Sequence, residues 1–222
     1  MRVGVEVGGT FTDLVAIDGN QVRIAKVPSV PSAPDEGALS AINAAKLPMD
    51  QVDDLIHGST VAINAILERK GAHIAFLVTK GFRDLLMLQR HNRRQIYDLF
   101  YRKPIPVVSR QHTFEIDERI GPDGAVIEAV TEDKLTETLS GPIAEGDYQA
   151  VAICLLNGYA NPLHERAVAD WVAAHFPRVT IPCSSDVTRE FREYERASTT
   201  TIAAYVQPVT NAYIARLADS LS

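Results

Sequence analysis

The feature that most constrains the fold is the opening stretch, in which two apolar runs flank a pair of glycines. Apolar side chains alternate at Val3, Val5 and Val7 before Gly8-Gly9, and a second apolar run covers residues 14–17. Alternation with a period of two indicates β-strands, and glycines between two such runs indicate a hairpin turn. The chain is therefore predicted to begin with a β-hairpin whose turn is rich in glycine and hydroxyl groups.

The turn carries residues that suit an anion. Gly8 and Gly9 allow the backbone to approach a ligand closely, with N–H groups pointing outward. Thr10 and Thr12, on either side of Phe11, add hydroxyl donors. We therefore predict that this five-residue segment binds phosphate. The alternative interpretation is an ordinary Gly-Gly hairpin with surface threonines.

Two carboxylates flank the turn, with Glu6 before it and Asp13 after it. Mg²⁺ in proteins is usually held by one or two carboxylates together with waters and phosphate oxygens. Glu6 and Asp13 are therefore predicted to hold Mg²⁺, directly or through water.

Composition argues against several classes of protein. The chain has 222 residues, of which 46% are hydrophobic, enough for one large domain or somewhat more. A net charge of −6 argues against nucleic acid as the main partner. No apolar run approaches the ~20 residues needed to cross a bilayer. A soluble, cytoplasmic protein with no membrane partner is expected.

One basic cluster stands out against the acidic background. Such clusters are typical of solvated loops and less often contact an anionic substrate or a nucleotide. Its members are Arg90, Arg93, Arg94, Arg102 and Lys103.

The rest of the chain alternates between strand and helix patterns. Predicted strands cover residues 21–27, 52–57, 73–78, 113–120, 125–129, 150–156 and 179–183. Predicted helices cover 35–45, with Ser32 as a possible cap, a segment starting at 61, 131–140, 164–175 and a long C-terminal segment. This order of elements predicts an α/β fold.

The C-terminal helical segment has two notable features. Pro208 is expected to kink or break it. Glu193, Arg196 and Thr200 fall on one helical face, which is typical of ion pairs at the surface.

Three further residues are assigned to the interior. Cys154 and Cys183 lie in apolar strand patterns and are predicted to be buried thiols. Trp171 is predicted to pack in the core.

A second candidate site follows the strand predicted at 52–57. His57, Gly58, Ser59 and Thr60 come directly before a helix, at what should be the carboxyl end of a sheet, and Asn64 lies one turn further on. The reference pKa of histidine suits proton transfer near neutral pH. Alternatively, Ser59 or Thr60 is only a helix cap and His57 only packs at a strand end.

Four motifs occur in order along the chain. They are Glu-Val-Gly-Gly-Thr-Phe-Thr-Asp at 6–13, the stretch 57–71 beginning His-Gly-Ser-Thr, Thr-Lys-Gly-Phe-Arg-Asp at 79–84, and Glu-Phe-Arg-Glu-Tyr-Glu-Arg-Ala-Ser-Thr-Thr at 190–200. Together they resemble the hydantoinase/5-oxoprolinase family, which includes the acetone and acetophenone carboxylase subunits. That family is similar to the actin, sugar-kinase and heat-shock-chaperone ATPases. This chain departs from the family in having Glu6 where Asp is usual.

The resemblance implies a ribonuclease-H-like, actin-like ATPase domain with a mixed central sheet, a second α/β part and a C-terminal linking helix. It implies that residues 1–183 form the family's N-terminal region and that 184–222 lead into a second domain absent from this chain. On this basis the chain is expected to be a fragment or half of a split protein. A second subunit is expected on family grounds.

The resemblance also implies a function, which is ATP-dependent hydrolysis of a cyclic amide such as a hydantoin, 5-oxoproline or another lactam. ATP and Mg²⁺ would bind at the first motif, with Asp13 and His57 in catalytic roles. Gly58, Ser59, Thr60 and Asn64 would line the substrate side.

Other functions stay open at this point. One alternative is a subunit of an ATP-dependent ketone carboxylase, and another is a nucleotide-binding sensor or assembly ATPase. A sugar kinase is disfavoured, because only Asp84 is a candidate catalytic base between residues 50 and 110.

Overall fold

The computed structural model describes residues 1–30, 33–93 and 95–221, together with all of their side chains except that of Leu221. Ser32, the possible helix cap, and Arg94 of the basic cluster lie outside the described residues. The chain divides into two compact units, Met1–Lys70 with Val209–Ser222, and Gly71–Pro208. The boundary expected after residue 183 concerns the family's domains and stays a prediction.

The first unit is built on a four-stranded sheet that contains the predicted hairpin. Its strands are β1 (Arg2–Val7), β2 (Phe11–Asp18), β3 (Gln21–Pro28) and β4 (Asp54–Ser59), and its helices α1 (Pro34–Ala44) and α2 (Val61–Leu67). The strand order is β3-β2-β1-β4. β1, β2 and β3 are antiparallel neighbours, whereas β4 runs parallel to β1. The predicted hairpin, third strand and first helix are confirmed.

Alternating burial makes one face of this sheet a core. Val3, Val5 and Val7 of β1 are each at most 3% exposed. They pack in one cluster with Ala41 and Ile42 of α1. Since burying a valine or isoleucine side chain contributes roughly 1.5–3 kcal/mol, this cluster fixes which side of the hairpin faces inward.

The second unit contains a parallel sheet. Its elements are β5 (Ile74–Thr79), α3 (Leu85–Leu88), β6 (Thr113–Ile116), β7 (Arg119–Ile120), β8 (Val126–Glu128), α4 (Glu132–Glu145), β9 (Ala150–Cys154), α5 (Leu163–His175) and α6 (Ser184–Val187). The parallel strands follow the order β6-β5-β9. All residues of β5 and β9 are buried, as expected for a parallel sheet covered on both faces.

The predicted interior residues of this unit are confirmed. Trp171 on α5 is 6% exposed and packs in the core cluster. Cys154 and Cys183 are buried free thiols, and burial raises the pKa of each to about 12.

Two strand predictions in this unit are corrected. The pattern at 113–120 is two strands, because the chain turns after Ile116, so that β6 joins the parallel sheet while β7 pairs with β8. The segment 179–183 makes only isolated bridges, Ala150 to Thr180 and Ile153 to Cys183. Pro182 lies between these bridges and has no N–H to donate to a ladder.

The C-terminal helix, α7 (Glu193–Leu221), is continuous through Pro208. A break at Pro208 is therefore wrong. The residues before Val209 belong to the second unit and those from Val209 onward to the first. No helix in the described ranges is long and apolar enough to cross a membrane.

Arg196 near the start of α7 corrects the surface interpretation of that face, because its side chain is fully buried. Its Nη2 donates to Glu165 Oε1 and to the Leu155 carbonyl, both at 3.1 Å, and to Ser184 Oγ. Glu165 is fully buried as well and accepts hydrogen bonds from the N–H groups of Leu155 and Ser185. The pair therefore ties the start of α7 to the end of β9.

We expect Arg196→Met to lower the free energy of unfolding of the second unit by about 3–5 kcal/mol, since it leaves the buried Glu165 charge without its partner. Arg166→Met is the matched control. It removes an ion pair with Asp186 whose side chains are 54% and 49% exposed, and should cost less than about 1 kcal/mol. Urea unfolding followed by the fluorescence of Trp171, the chain's single tryptophan, measures both. Equal losses would contradict the role given to Arg196.

Candidate functional site

The two predicted binding motifs meet at one edge of the first unit's sheet. β1 and β4 are parallel, with Val7 opposite Ser59, so both strands end at the same edge. The Thr60 N–H donates to the Val7 carbonyl at 3.2 Å. Beyond Val7, the Gly8 N–H donates to the Phe11 carbonyl at 3.0 Å and closes the turn. The glycine turn and the start of α2 are therefore held side by side.

A cleft of about 650 Å³ lies at this edge. Its walls are the end of β1 with the glycine turn (residues 7–10), three residues before and at the start of α1 (Ser29, Val30 and Pro34), one face of α2, and the α7 residues Val209, Tyr213 and Arg216. Thr60 and Asn64 line it from α2. The cleft has the size of a small-molecule site.

Asn64 faces the glycine turn across the cleft. Its Nδ2 donates to Thr60 Oγ1 at 3.2 Å, and Thr60 Oγ1 donates to the Val7 carbonyl at 3.4 Å. A methyl group placed on Gly9 would lie 3.6 Å from Asn64 Nδ2. Gly9 of the predicted phosphate-binding segment and Asn64 of the predicted substrate side therefore lie on facing sides of the cleft, one methyl group from contact. Any side chain at position 9 would occupy the space between them.

Two residues of the predicted phosphate segment lie elsewhere. Thr12 is fully buried, with its Oγ1 2.9 Å from Ser29 Oγ, so it supports the turn from the core side. Phe11 lies on the opposite, outer face, with Lys26 Nζ 4.9 Å from its ring centroid. A direct ligand contact from either stays a prediction.

The predicted metal ligands are neighbours on the outer face of the sheet. Glu6 and Asp13 are directly opposite each other in the β1–β2 register, so their carboxylates project to the same side. Asp13 Oδ1 accepts a hydrogen bond from Lys26 Nζ at 2.7 Å. The Glu6 carboxylate lies over Gly58, where a side chain would collide with it. Their binding of Mg²⁺ stays a prediction, as does catalysis by Asp13.

His57 points to the inner face of the sheet and is half-buried. Its Nε2 is hydrogen-bonded to the hydroxyl of Tyr213 on α7. Burial lowers the pKa of His57, while the Glu6 carboxylate and a hydrogen bond to the Val5 backbone partly oppose this shift. Tyr213, and not His57, belongs to the wall of the cleft.

The cleft residues that sequence reasoning missed include Lys70, Tyr213 and Arg216. The Lys70 ammonium is 2.7 Å from Glu68 Oε2, and Arg216 Nε is 3.2 Å from Asp35 Oδ1. Both cations are more than half exposed and line the same cleft as the glycine turn. The available signal was the spacing of Tyr213 and Arg216, which places them on one face of a helix.

Comparison with known proteins identifies the family. The model for the hydantoinase/oxoprolinase N-terminal region matches residues 2–176. The chain belongs to the hydantoinase/oxoprolinase family. The resemblance inferred from the four motifs is therefore confirmed.

Three relatives in this family illustrate the match. An uncharacterised protein of Methanocaldococcus jannaschii is 38% identical over 99% of this chain and 33% of its own length. The caprolactamase alpha subunit of Pseudomonas jessenii is 32% identical over 97% of this chain and 32% of its own. The 5-oxoprolinase 1 of Arabidopsis thaliana is 31% identical over 96% of this chain and 19% of its own length.

A solved structure confirms the architecture. The ATP-dependent caprolactamase of Pseudomonas jessenii superimposes with a TM-score of 0.88 and 31% identity, over 100% of this chain and 33% of that one. The mixed α/β fold with a long C-terminal helix is therefore shared with this hydantoinase/oxoprolinase family member. The chain spans between about a fifth and a third of the length of these relatives.

The buried setting of His57 gives a testable pH effect. Its folded pKa should lie below the reference value of 6.5, so the unfolded chain binds more protons than the folded chain just below that pH. Stability should therefore fall as pH drops from 6.5 through the folded pKa, and His57→Gln should reduce this fall. Proton NMR of the histidine rings measures the pKa, with His57→Gln assigning the resonance. Titration of His57 at or above 6.5 would contradict the assignment.

Proposed function

We propose that this chain is the phosphate-binding, N-terminal part of an ATP-dependent enzyme that opens a cyclic amide. The observation that carries the proposal is the approach of Gly9 and Asn64 across one cleft. A phosphoryl-transfer site needs a phosphate group and an acceptor side by side, and this cleft provides one wall for each. The sheet order β3-β2-β1-β4 supports the finer assignment to the ribonuclease-H-like, actin-like ATPase folds.

The residues present fit the phosphates of ATP. The Gly8 N–H is bonded to the Phe11 carbonyl, so the turn would bind phosphate through the N–H groups that follow it, and a side chain at Gly9 would extend toward Asn64 across the cleft. Thr10 adds a hydroxyl, and Lys70 and Arg216 add positive charge at the same cleft. When bound, ATP supplies the phosphoryl group that makes a ring carbonyl electrophilic enough for water to open the ring. Glu6 and Asp13 are the carboxylates that would hold Mg²⁺.

The substrate side is assigned to the start of α2. Asn64 retains a carbonyl oxygen and one amide hydrogen after its bond to Thr60, a pair of groups that complements a ring amide. Gly58 and Ser59, at the end of β4, come directly before Thr60 and are proposed to lie on the same substrate side. Positioning by this edge is the chain's contribution to catalysis, with His57, bonded to Tyr213 of the cleft wall, as the proposed proton-accepting group.

The proposal extends to the larger assembly. The caprolactamase relative is named as an alpha subunit, and we propose that this chain likewise functions with a second subunit. We also propose that residues 184–222 lead from the N-terminal region toward a further domain. We propose the class of cyclic amides and no single ring as the substrate, because the cleft residues complement the ring amide and not one particular ring.

Calorimetric titration of the 222-residue chain with Mg·ATP tests the phosphate site. Gly9→Val should weaken binding by at least about tenfold, which corresponds to ~1.4 kcal/mol, because its side chain enters the cleft. Gly4→Val is the control, since position 4 lies on the outer face of β1 and a methyl group placed there would be 3.9 Å from its nearest neighbour, the Val15 carbonyl oxygen. Omission of Mg²⁺ should also weaken binding if Glu6 and Asp13 hold the metal.

The contradicting results are equally specific. Absence of Mg·ATP binding, or equal binding by wild type and Gly9→Val, would remove the phosphate site from the glycine turn. Weakening by Gly4→Val to the same degree would show that the effect is on the hairpin's stability and not on the cleft.

A further inference from the structure

His57 lies behind the cleft and not in it. The cleft wall is formed by Tyr213, whose phenol oxygen is bonded to His57 Nε2. The two ring centroids are 5.5 Å apart, with an angle of 49° between the planes. The phenol of Tyr213 therefore lies between the cleft and His57.

The direction of the bond between Tyr213 and His57 depends on which ring nitrogen of His57 carries the proton. The Val5 backbone raises the pKa of His57, as a carbonyl that accepts a ring N–H does, and this favours a neutral ring with its proton on Nδ1. In the neutral ring the other nitrogen is an acceptor, so the Tyr213 O–H donates to Nε2. The Ser59 hydroxyl also bonds to the phenol, whose oxygen accepts it. With neutral His57, Tyr213 thus has no free proton to offer a ligand.

The charged groups around the pair keep the phenol protonated. Burial raises the pKa of Tyr213, and the carboxylates of Asp35 on α1 and Glu6 on β1 raise it further, while the bond from Ser59 acts in the opposite direction. Glu6 also raises the pKa of His57 against the effect of burial. Near neutral pH, Tyr213 is therefore a hydroxyl donor and not a phenolate, and His57 is the group of the pair that can change its charge.

We propose that Tyr213 is the side chain that donates a hydrogen bond to the phosphate-bearing ligand, and that His57 is its positioning residue. This inference rests on the proposed function of the cleft. An anion needs a donor, so the Tyr213 O–H turns from Nε2 to the ligand. His57 takes one proton from the solvent at Nε2 and donates it to the phenol oxygen. No bond between heavy atoms changes, and one proton is taken up per ligand bound.

A purely structural Tyr–His pair makes a different prediction. Tyr213 packs in the core cluster beside Leu217 and the valines of β1, so the pair also holds α7 on the sheet. That role involves no exchange of protons with the solvent when a ligand binds. Proton linkage therefore separates the two roles, whereas a loss of stability does not.

Calorimetry of the 222-residue chain with Mg·ATP at about pH 7.5, in two buffers of different ionisation enthalpy, measures this linkage. The wild type should take up close to one proton per ATP, and Tyr213→Phe should bind more weakly with uptake near zero. Tyr205→Phe is the control, because it makes the same change on the same helix but in the second unit, against Gly71. The Tyr205→Phe variant should take up as many protons per ATP bound as the wild type does.

Each other outcome decides between the two proposals. Binding without proton uptake, or uptake unchanged in Tyr213→Phe, overturns the inference and leaves the phosphate site intact. Absence of ATP binding by the wild type contradicts the proposed function and removes the inference with it. Nitrogen NMR of the ligand-free protein is independent of ATP: the neutral His57 ring should carry its proton on Nδ1. A proton on Nε2 overturns the inference alone.

Discussion

The parallel pairing of β1 with β4 is the constraint on which the candidate site depends. Because the two strands run in the same direction and in register from Arg2 opposite Asp54 to Val7 opposite Ser59, their carboxyl ends coincide. The glycine turn follows one end and the start of α2 follows the other. The Thr60 N–H bond to the Val7 carbonyl joins the two ends. Two motifs separated by some fifty residues in sequence thus become two walls of one cleft, at the edge where α/β sheets generally bind ligands.

Local signals explain what the sequence could predict. Alternation at Val3, Val5 and Val7 with a glycine pair after it specifies a hairpin, because period-two burial and a tight turn are properties of neighbouring residues. The same alternation, followed further, also implies that Thr12 and Asp13 face opposite sides. Thr12 is accordingly buried under α1, while Asp13 lies with Glu6 on the outer face. A contiguous motif on a strand therefore divides its side chains between the two faces of the sheet.

Long-range packing explains what the sequence could not predict. The charged neighbours of Arg196 in the sequence predict a surface position for it, and only the fold brings the Glu165 carboxylate to its side chain. Tyr213 is separated from His57 by 156 residues, and no periodicity in α7 indicates which side chain it will meet. Pro208 was expected to kink or break α7, which nevertheless runs through it. For Arg196 and Tyr213, long-range contacts made by the fold, and not the local sequence, decide which groups surround the side chain.

Hydrogen–deuterium exchange of the 222-residue chain with and without Mg·ATP tests the central claim most directly. If the glycine turn and the start of α2 form one phosphate-binding cleft, ATP should slow exchange at the amides of residues 8–10 and of the first turn of α2 together. The carboxyl edge of the second unit's sheet, around Asn157 and Gly158, should exchange as before. Protection confined to that second edge, or bound ATP that leaves residues 8–10 unprotected, would contradict the account.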